Sequence, residues 1–260
     1  MVRDSLPGGL LRAAFRISNY PGIDSISGEE LSNKFHESLL ISNVSQKIDR
    51  ILKIKKVNGI YRAFGKSGEI YSSKVVIVST GTSPKPLKES LPSSVDYNII
   101  HRDIRTLPKD LEGKIVIIIG GGEASVDSSL TVRKLGGIPK IIVRNNRLKI
   151  NDELRALLIK NRIDVIYNET IVETINCSDG KILINTKSKK LINSDYLMVC
   201  IGRIPNLPKF ENFKLGENGI YLSGDVVGRS MRYVGIAVSD GIISAEKGIE
   251  YIRLNNLKKK

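Results

Sequence analysis

Lys114-Ile115-Val116-Ile117-Ile118-Ile119-Gly120-Gly121-Gly122-Glu123-Ala124-Ser125 decides how this chain is read. The β-branched run Ile115–Ile119 predicts a buried strand, the glycines a sharp turn, and the residues after them a helix from Glu123 to about Lys134. Gly120 lets the chain turn out of the strand. Gly122 lets the backbone approach a pyrophosphate, where any Cβ would collide. Ser125 is small enough for the helix to pack close to the strand. The helix N-terminus would offer N–H groups and a partial positive charge to phosphates. These are the ingredients of a dinucleotide-binding βαβ unit, with Gly120, Gly121, Gly122, Glu123, Ala124 and Ser125 as its candidate residues. The plain alternative is a glycine-rich turn in another α/β protein.

Outward from that stretch the pattern keeps alternating. A strand at Lys140–Val143, a helix at Asn151–Lys160 and a strand at Asp164–Tyr167 follow the first helix. That order specifies a parallel sheet with right-handed crossovers. A hairpin, Thr170–Asn176 with Lys181–Asn185, is turned by Asp179-Gly180, and a buried strand covers Tyr196–Cys200. Upstream, Ser27-Gly28-Glu29-Glu30 is a capping box opening a helix to about Leu40. Strand-like pieces follow at Lys47–Lys56, Gly59–Phe64, Glu69–Tyr71 and Lys74–Val78. The stretch Ser83–Gly113 holds Pro84, Pro86, Pro92 and Pro108 with little periodicity, and reads as a connection between domains. Near the end come a strand at Gly219–Ser223, a helix from about Gly235 to Tyr251, and a frayed basic tail from Asn255.

Composition bounds the function. A chain of 260 residues can form one large domain or two small ones. Hydrophobic content of 41% with 26% charged residues is that of a soluble globular chain. No apolar run approaches the ~20 residues that span a membrane, and Met1-Val2-Arg3-Asp4 begins no signal peptide. Cys177 and Cys200 stand apart, forming neither a C-x-x-C nor a metal-ligand cluster, so a cytoplasmic setting and no metal site are expected. A formal charge of +14 suits an acidic protein partner or a cofactor's phosphates. Scattered lysines, 5% aromatics and no recognition motif argue against nucleic acid. Neither His36 nor His101 belongs to a nucleophilic constellation, and no catalytic residue is assigned.

Five segments, in this order, resemble the thioredoxin-reductase-like branch of the FAD-dependent pyridine-nucleotide oxidoreductases. Gly8-Gly9-Leu10-Leu11 with Asn19-Tyr20-Pro21-Gly22 looks like the family's flavin-facing G-G-x-L and N-[WY]-P-G. Ser79-Thr80-Gly81 resembles its A-T-G, and Gly120–Ser125 its G-G-G-x-x-A. Ile201-Gly202-Arg203-Ile204-Pro205-Asn206 resembles I-G-x-x-P-N. Gly224-Asp225, followed by Arg232–Ala237, resembles the G-D-V segment. The resemblance implies an α/β fold of two Rossmann-like nucleotide-binding domains. The FAD domain (1–110 and 208–260) would be interrupted by the NAD(P) domain (111–207). It also implies roles. Gly8, Gly9 and Leu10 would lie against the flavin, and Asn19 would offer its amide. Thr80 and Gly81 would lie near the ADP–flavin bend, and Ile201 and Gly202 on the return path. Asp225, beside Gly224, would hold the ribityl chain, where the plainer role is a helix cap. Gly235 and Ile236 would give N–H groups to reduced flavin.

The sequence departs from that family in two places. The first βαβ unit of the FAD domain, roughly 30 residues, is missing before Met1, which suggests a late start site or a gene fragment. The redox C-x-x-C is absent as well: Asn98-Ile99-Ile100-His101-Arg102-Asp103-Ile104-Arg105 stands in its place, and thioredoxin reduction is not expected. About 24 residues past Gly120, where an NAD site carries an acid, stands Arg144, with Arg147 and Lys149 close by. These favour NADP over NAD, although Asn145 stands where the family's second arginine would be. The implied function is hydride transfer from NAD(P)H to FAD and on to a quinone, ferredoxin or flavodoxin, oxygen or another small molecule. A second reading is a non-catalytic remnant that binds NAD(P) but not FAD tightly. The resemblance leaves a homodimer open.

Overall fold

The computed structural model describes residues 1–3, 6–86, 97–176 and 180–257. They form two compact units, Met1–Ser83 with Ile204–Lys260, and Pro84–Arg203. The first part of unit 1 contains β1 (Val2–Arg3), α1 (Gly28–Ile41), β2 (Lys47–Ile48), β3 (Ile51–Val57), β4 (Ile60–Gly65), β5 (Ile70–Ser73) and β6 (Val76–Val78). The chain crosses to unit 2 in β7 (Thr82–Pro84). Unit 2 holds β8 (Ile100–His101), β9 (Ile115–Ile119), α2 (Glu123–Lys134), β10 (Ile138–Ile142), α3 (Asp152–Lys160) and β11 (Asp164–Ile166). It continues with β12 (Ile171–Asn176), β13 (Ile182–Thr186), β14 (Leu191–Ser194) and β15 (Tyr196–Val199). The chain returns in β16 (Arg203–Pro205), and β17 (Lys209–Glu211), β18 (Ile220–Leu222) and α4 (Val234–Leu257) complete unit 1.

Unit 2 is built on the sheet that the alternation predicts. Its order is β11-β10-β9-β15-β8, and every pairing is parallel. The five-residue run of β9 is buried on both faces. Ile117 packs with Ile182 and Ile184 of the antiparallel sheet β12-β13-β14, and α2 covers the opposite face, that of Val116 and Ile118. Polar staples tie that antiparallel sheet to β9: the Ile117 N–H donates to Ser194 Oγ, and the Ile115 N–H to the Asp195 carboxylate. β14 is absent from the sequence expectation, and the hairpin turn residue Asp179 and Cys177 lie outside the described residues.

Unit 1 is assembled from smaller sheets. β17-β3-β4-β5 form one, with β17 parallel to β3 and the rest antiparallel. The β3–β4 hairpin turns on Asn58-Gly59, both at positive φ, as a two-residue hairpin requires. Two parallel pairs stand beside it, β1 with β2 and β6 with β18. Tyr61 is fully buried among Ile54, Val78 and Ile220, and its hydroxyl donates to the Asn218 carbonyl. α1 begins with both bonds of the capping box, Glu30 N–H to Ser27 Oγ and Ser27 N–H to the Glu30 carboxylate.

Several segments differ from the sequence expectation. The strand expected over Lys47–Lys56 is two strands, broken at Asp49. That carboxylate accepts from the Arg50 N–H and from the Ser67 N–H and hydroxyl, pulling the chain out of line. The tail expected to fray from Asn255 continues α4 to Leu257. The connection expected over Ser83–Gly113 contains β8, an edge strand of the parallel sheet. Two residues are too few to show any period. No helix among the described residues is long and apolar enough to cross a membrane.

β8 buries His101. Thr106 Oγ1 donates to the Asp103 carbonyl, so it accepts from Nδ1 of His101, 2.8 Å away. Nε2 then carries a lone pair, buried without a partner among the described residues, while the ring lies edge-on to Tyr196. Burial holds the imidazole pKa below its ordinary 6.5. Below 6.5 the unfolded chain therefore takes a proton that the folded chain refuses. Stability is complete above that pH and falls as pH drops. Thermal unfolding followed from pH 7.5 to about pH 5 should show a falling midpoint, and His101→Gln should flatten that part of the profile.

Candidate functional site

In unit 2 the glycine turn leaves the C-terminal end of the central strand. Gly120 has φ +148°, and a Cβ there would collide with the Cys200 carbonyl oxygen. The neighbouring strand thus presses on the turn, and only glycine fits. A Cβ on Gly121 would meet Val143 Cγ1 at 3.0 Å. At Gly122 it would meet nothing within 4 Å and φ is negative. Gly122 is the N-cap of α2 and supplies no side-chain cap. Ser125 is fully buried under it, its hydroxyl donating to the Gly122 carbonyl at 2.6 Å. Glu123 and Ala124 are exposed on the first turn.

The basic segment after β10 is tied to the same turn by main-chain bonds. The Lys149 N–H donates to the Gly121 carbonyl at 2.7 Å, and Gly122 bridges Lys149. At the other end, Val143 is bonded through its N–H to Ile166 and through its carbonyl to Glu169. β10 itself ends one residue earlier than expected, at Ile142. Leu148 is buried between these anchors, while Arg144, Arg147 and Lys149 are exposed. Ile201 and Gly202 are also exposed, and the Gly202 carbonyl accepts from the Lys85 N–H.

Unit 1 brings its candidate residues together in two groups. β6 and β18 are parallel and in register, Val78 opposite Leu222, and the Ser223 N–H donates to the Val78 carbonyl. Thr80-Gly81 and Gly224-Asp225 therefore leave the same end of the pair, the carboxyl end where α/β sheets bind ligands. A Cβ on Gly224 would touch Ala237, so the first turn of α4, with Gly235 and Ile236, lies against the Asp225 turn. At Gly81 and Gly235 a Cβ would meet nothing within 4 Å. Gly8, Gly9 and Leu10 form the second group, against α1. Gly8 sits at φ +107°, where a Cβ would lie 2.5 Å from Ser32 Oγ, so packing alone requires that glycine. Gly9 faces open space, and Asn19 is exposed nearby in the chain, beyond the Ile17–Ile26 bridge.

These surroundings fit an extended dinucleotide in each unit. Each candidate helix start meets a glycine with open space where its Cβ would be, and in unit 2 the exposed basic segment is tied to the same turn through the Lys149 main chain. Among the described residues no group of His, Cys, Asp or Glu could hold a metal ion. Cys200 lies beneath α2, with its sulfur 3.7 Å from Ser128 Oγ and 3.8 Å from the Ala124 carbonyl. Burial pushes its thiol pKa up to about 11, so at neutral pH it is a protonated packing group.

Comparison with known proteins places this architecture. The family model for pyridine nucleotide-disulphide oxidoreductases matches residues 18–241. The chain belongs to that family. It is 25% identical to the thioredoxin reductase of Bacillus subtilis (strain 168), covering 97% of this chain and 86% of that protein. It is 24% identical to a 34.2 kDa protein in the rubredoxin operon of Clostridium pasteurianum, covering 97% and 88%. Among solved structures, the thioredoxin reductase of Lactococcus lactis superposes with a TM-score of 0.84 at 19% identity, over 96% of this chain and 89% of that one. That of T. acidophilum gives 0.83 at 24% identity, over 97% and 89%. The fold is thus the mixed α/β fold of thioredoxin reductases.

Sequence reasoning missed what holds these segments. The Gly120–Cys200 and Gly121–Lys149 contacts are long-range and leave no local signal, and so does the partner of Gly224, which is Asp240 on α4. The three glycines of the turn should behave differently when replaced. Gly120→Ala should lower the urea midpoint of the unliganded chain sharply, because φ and the Cys200 carbonyl both oppose it. Gly122→Ala should leave the unfolding free energy within about 1 kcal/mol of the parent and weaken NADPH binding, measured by fluorescence titration.

Proposed function

We propose that this chain is an FAD-dependent NAD(P)H oxidoreductase that works without a redox disulfide. The unit carrying the Gly120–Gly122 turn would hold NADP, and the unit carrying Asp225 would hold FAD. The observation that supports this most directly is the pairing of an uncapped α2 N-terminus, open in front of Gly122, with the basic segment Arg144–Lys149 anchored to the same turn. When bound, the nicotinamide and flavin supply the hydride chemistry themselves, so the protein's part is binding, orientation and electrostatics.

In this reading the first-turn N–H groups of α2 face the pyrophosphate, and Arg144 and Arg147 pair with the 2′-phosphate. In unit 1, Asp225 accepts from ribityl hydroxyls, with Thr80 and Gly81 alongside. The first turn of α4 at Gly235 and Ile236 offers positive potential to reduced flavin. Gly8–Leu10 and Asn19 contribute backbone and an amide. The electron acceptor is an acidic redox protein or a small molecule, in keeping with a formal charge of +14. Two features favour a route without a disulfide: residues 98–105 contain no cysteine, and the half-buried Cys200 thiol is held protonated by desolvation.

The test is a visible spectrum of the purified chain, incubated with FAD and freed of unbound FAD by gel filtration, before and after anaerobic NADPH. Flavin bands near roughly 370 and 450 nm that bleach with NADPH faster than with NADH are expected. Arg144→Gln should narrow that preference about tenfold. The double variant Cys177→Ser with Cys200→Ser should still turn over NADPH with an artificial acceptor and should leave any thioredoxin activity where the parent has it. A chain that stays colourless after FAD addition would overturn the flavin reading in favour of a nucleotide-binding remnant. Loss of turnover in the cysteine-free variant would overturn the reading without a disulfide.

A further inference from the structure

The turn that carries Asp225 is held by a carboxylate far along the chain. Ser223 precedes the single 3-10 turn Gly224–Val227, but its hydroxyl makes no capping bond to it. The Gly224 N–H donates instead to Oδ2 of Asp240, 3.1 Å away on α4. The same oxygen accepts from Nη1 of Arg229, which lies between the turn and the helix. The Asp240 side chain is 11% exposed and that of Arg229 47%, so the guanidinium covers a nearly buried carboxylate from the solvent side. The bond to Asp240 raises the Arg229 pKa. Both bonds are charge-assisted, the stronger class of hydrogen bond. One oxygen therefore closes the segment from Gly224 to Asp240. Inside that segment lie Asp225 and the first turn of α4 with Gly235 and Ile236.

We propose that Asp240 is a positioning residue for FAD: it sets the Asp225 carboxylate against the N-terminus of α4 before the cofactor arrives. The proposal rests on the reading of Asp225 as the group that accepts from the ribityl chain. Its physical content is preorganisation. A turn already ordered in the unliganded chain loses little freedom on binding, and that saving appears as affinity. The Arg229 side chain, bonded to the same oxygen, keeps the carboxylate aimed, while Gly224 at φ +75° allows the N–H to reach it.

The experiment uses the full chain. FAD dissociation constants come from flavin fluorescence, and the exchange rate of the Gly224 amide in the absence of FAD comes from NMR. Asp240→Ala should weaken FAD about tenfold or more and speed Gly224 exchange. Asp240→Asn keeps an acceptor oxygen for the Gly224 N–H and should stay within about threefold of the parent in affinity. Combining Asp240→Ala with Asp225→Ala should cost no more affinity than Asp225→Ala alone, because one residue acts through the other. A merely structural role would instead lower the unfolding midpoint and add to the Asp225 effect. Should Asp240→Ala not fold, Asp240→Asn and Arg229→Ala carry the test. Among the folded variants of Asp240 and Arg229 alone, with Asp225 intact, FAD affinity must track Gly224 protection, and a variant of these in which the two part company overturns the proposal. Parental FAD binding unchanged in Asp240→Ala removes the proposal alone. A parent that binds no FAD removes the flavin reading and the proposal together.

Discussion

The contact on which unit 2 depends is one of main chain against main chain. β15 ends at Val199, and the next carbonyl, that of Cys200, occupies the space a Cβ on Gly120 would need. The Cys200 N–H donates to the Ile119 carbonyl and the Gly120 N–H to the Ile142 carbonyl, so three adjacent strands converge on one peptide. Because these three contacts are all main chain to main chain, Gly120 is held with the rigidity of the sheet itself. The open side of Gly122 and the start of α2 inherit that rigidity, and the basic segment is fastened to it through Lys149. A glycine that reads in sequence as permission to turn is, in the fold, a steric requirement of the Cys200 carbonyl at the end of a distant strand.

What was legible in the sequence is what local chemistry encodes. The β-branched run, the glycine turn and the α2 limits follow from period and punctuation, and the Ser27–Glu30 box forms both of its bonds. The Asn58-Gly59 turn is equally local. What was not legible lies at long range or in short pieces. β8 pairs two residues at a sheet edge, amid a proline-rich stretch that reads as a connector. β14 is an ordinary strand with mixed residues and no alternation to separate it from a loop. Asp49 gives no local sign that it will break a strand, because the partners that turn it inward, Ser67 and Tyr71, come from the next hairpin arm. Among the candidate site residues, Gly8 looked like a flavin-facing position and is also demanded by Ser32 of α1.

The acidic residues of this basic chain show a common use. Asp49 accepts from Ser67, and Glu169 from the Ser188 hydroxyl and N–H; those bonds hold both carboxyl pKa values below the ordinary range. Asp195 receives the first N–H of β9, and Asp240 the N–H of Gly224. Each carboxylate ties a turn or strand end to a segment distant in sequence or to a neighbouring hairpin. With 27 acidic residues against 41 basic ones, using carboxylates in this way leaves much of the lysine and arginine facing solvent.

The two candidate nucleotide segments are fixed by different means, and this sets how each tolerates change. In unit 2 the anchors are backbone groups: Cys200 against Gly120, and Lys149 to Gly121. The exposed Arg144 and Arg147 side chains form none of these anchors, so the nucleotide preference proposed for them can change without moving the turn. In unit 1 the Asp225 turn lacks a cap of its own and leans on a side chain from α4. A carboxylate acceptor can be gained, lost or competed for by a single substitution, which main-chain bonds cannot. On the proposed reading, variation should therefore change specificity in unit 2 and affinity in unit 1, because in one the scaffold is the sheet and in the other it is a single charged oxygen.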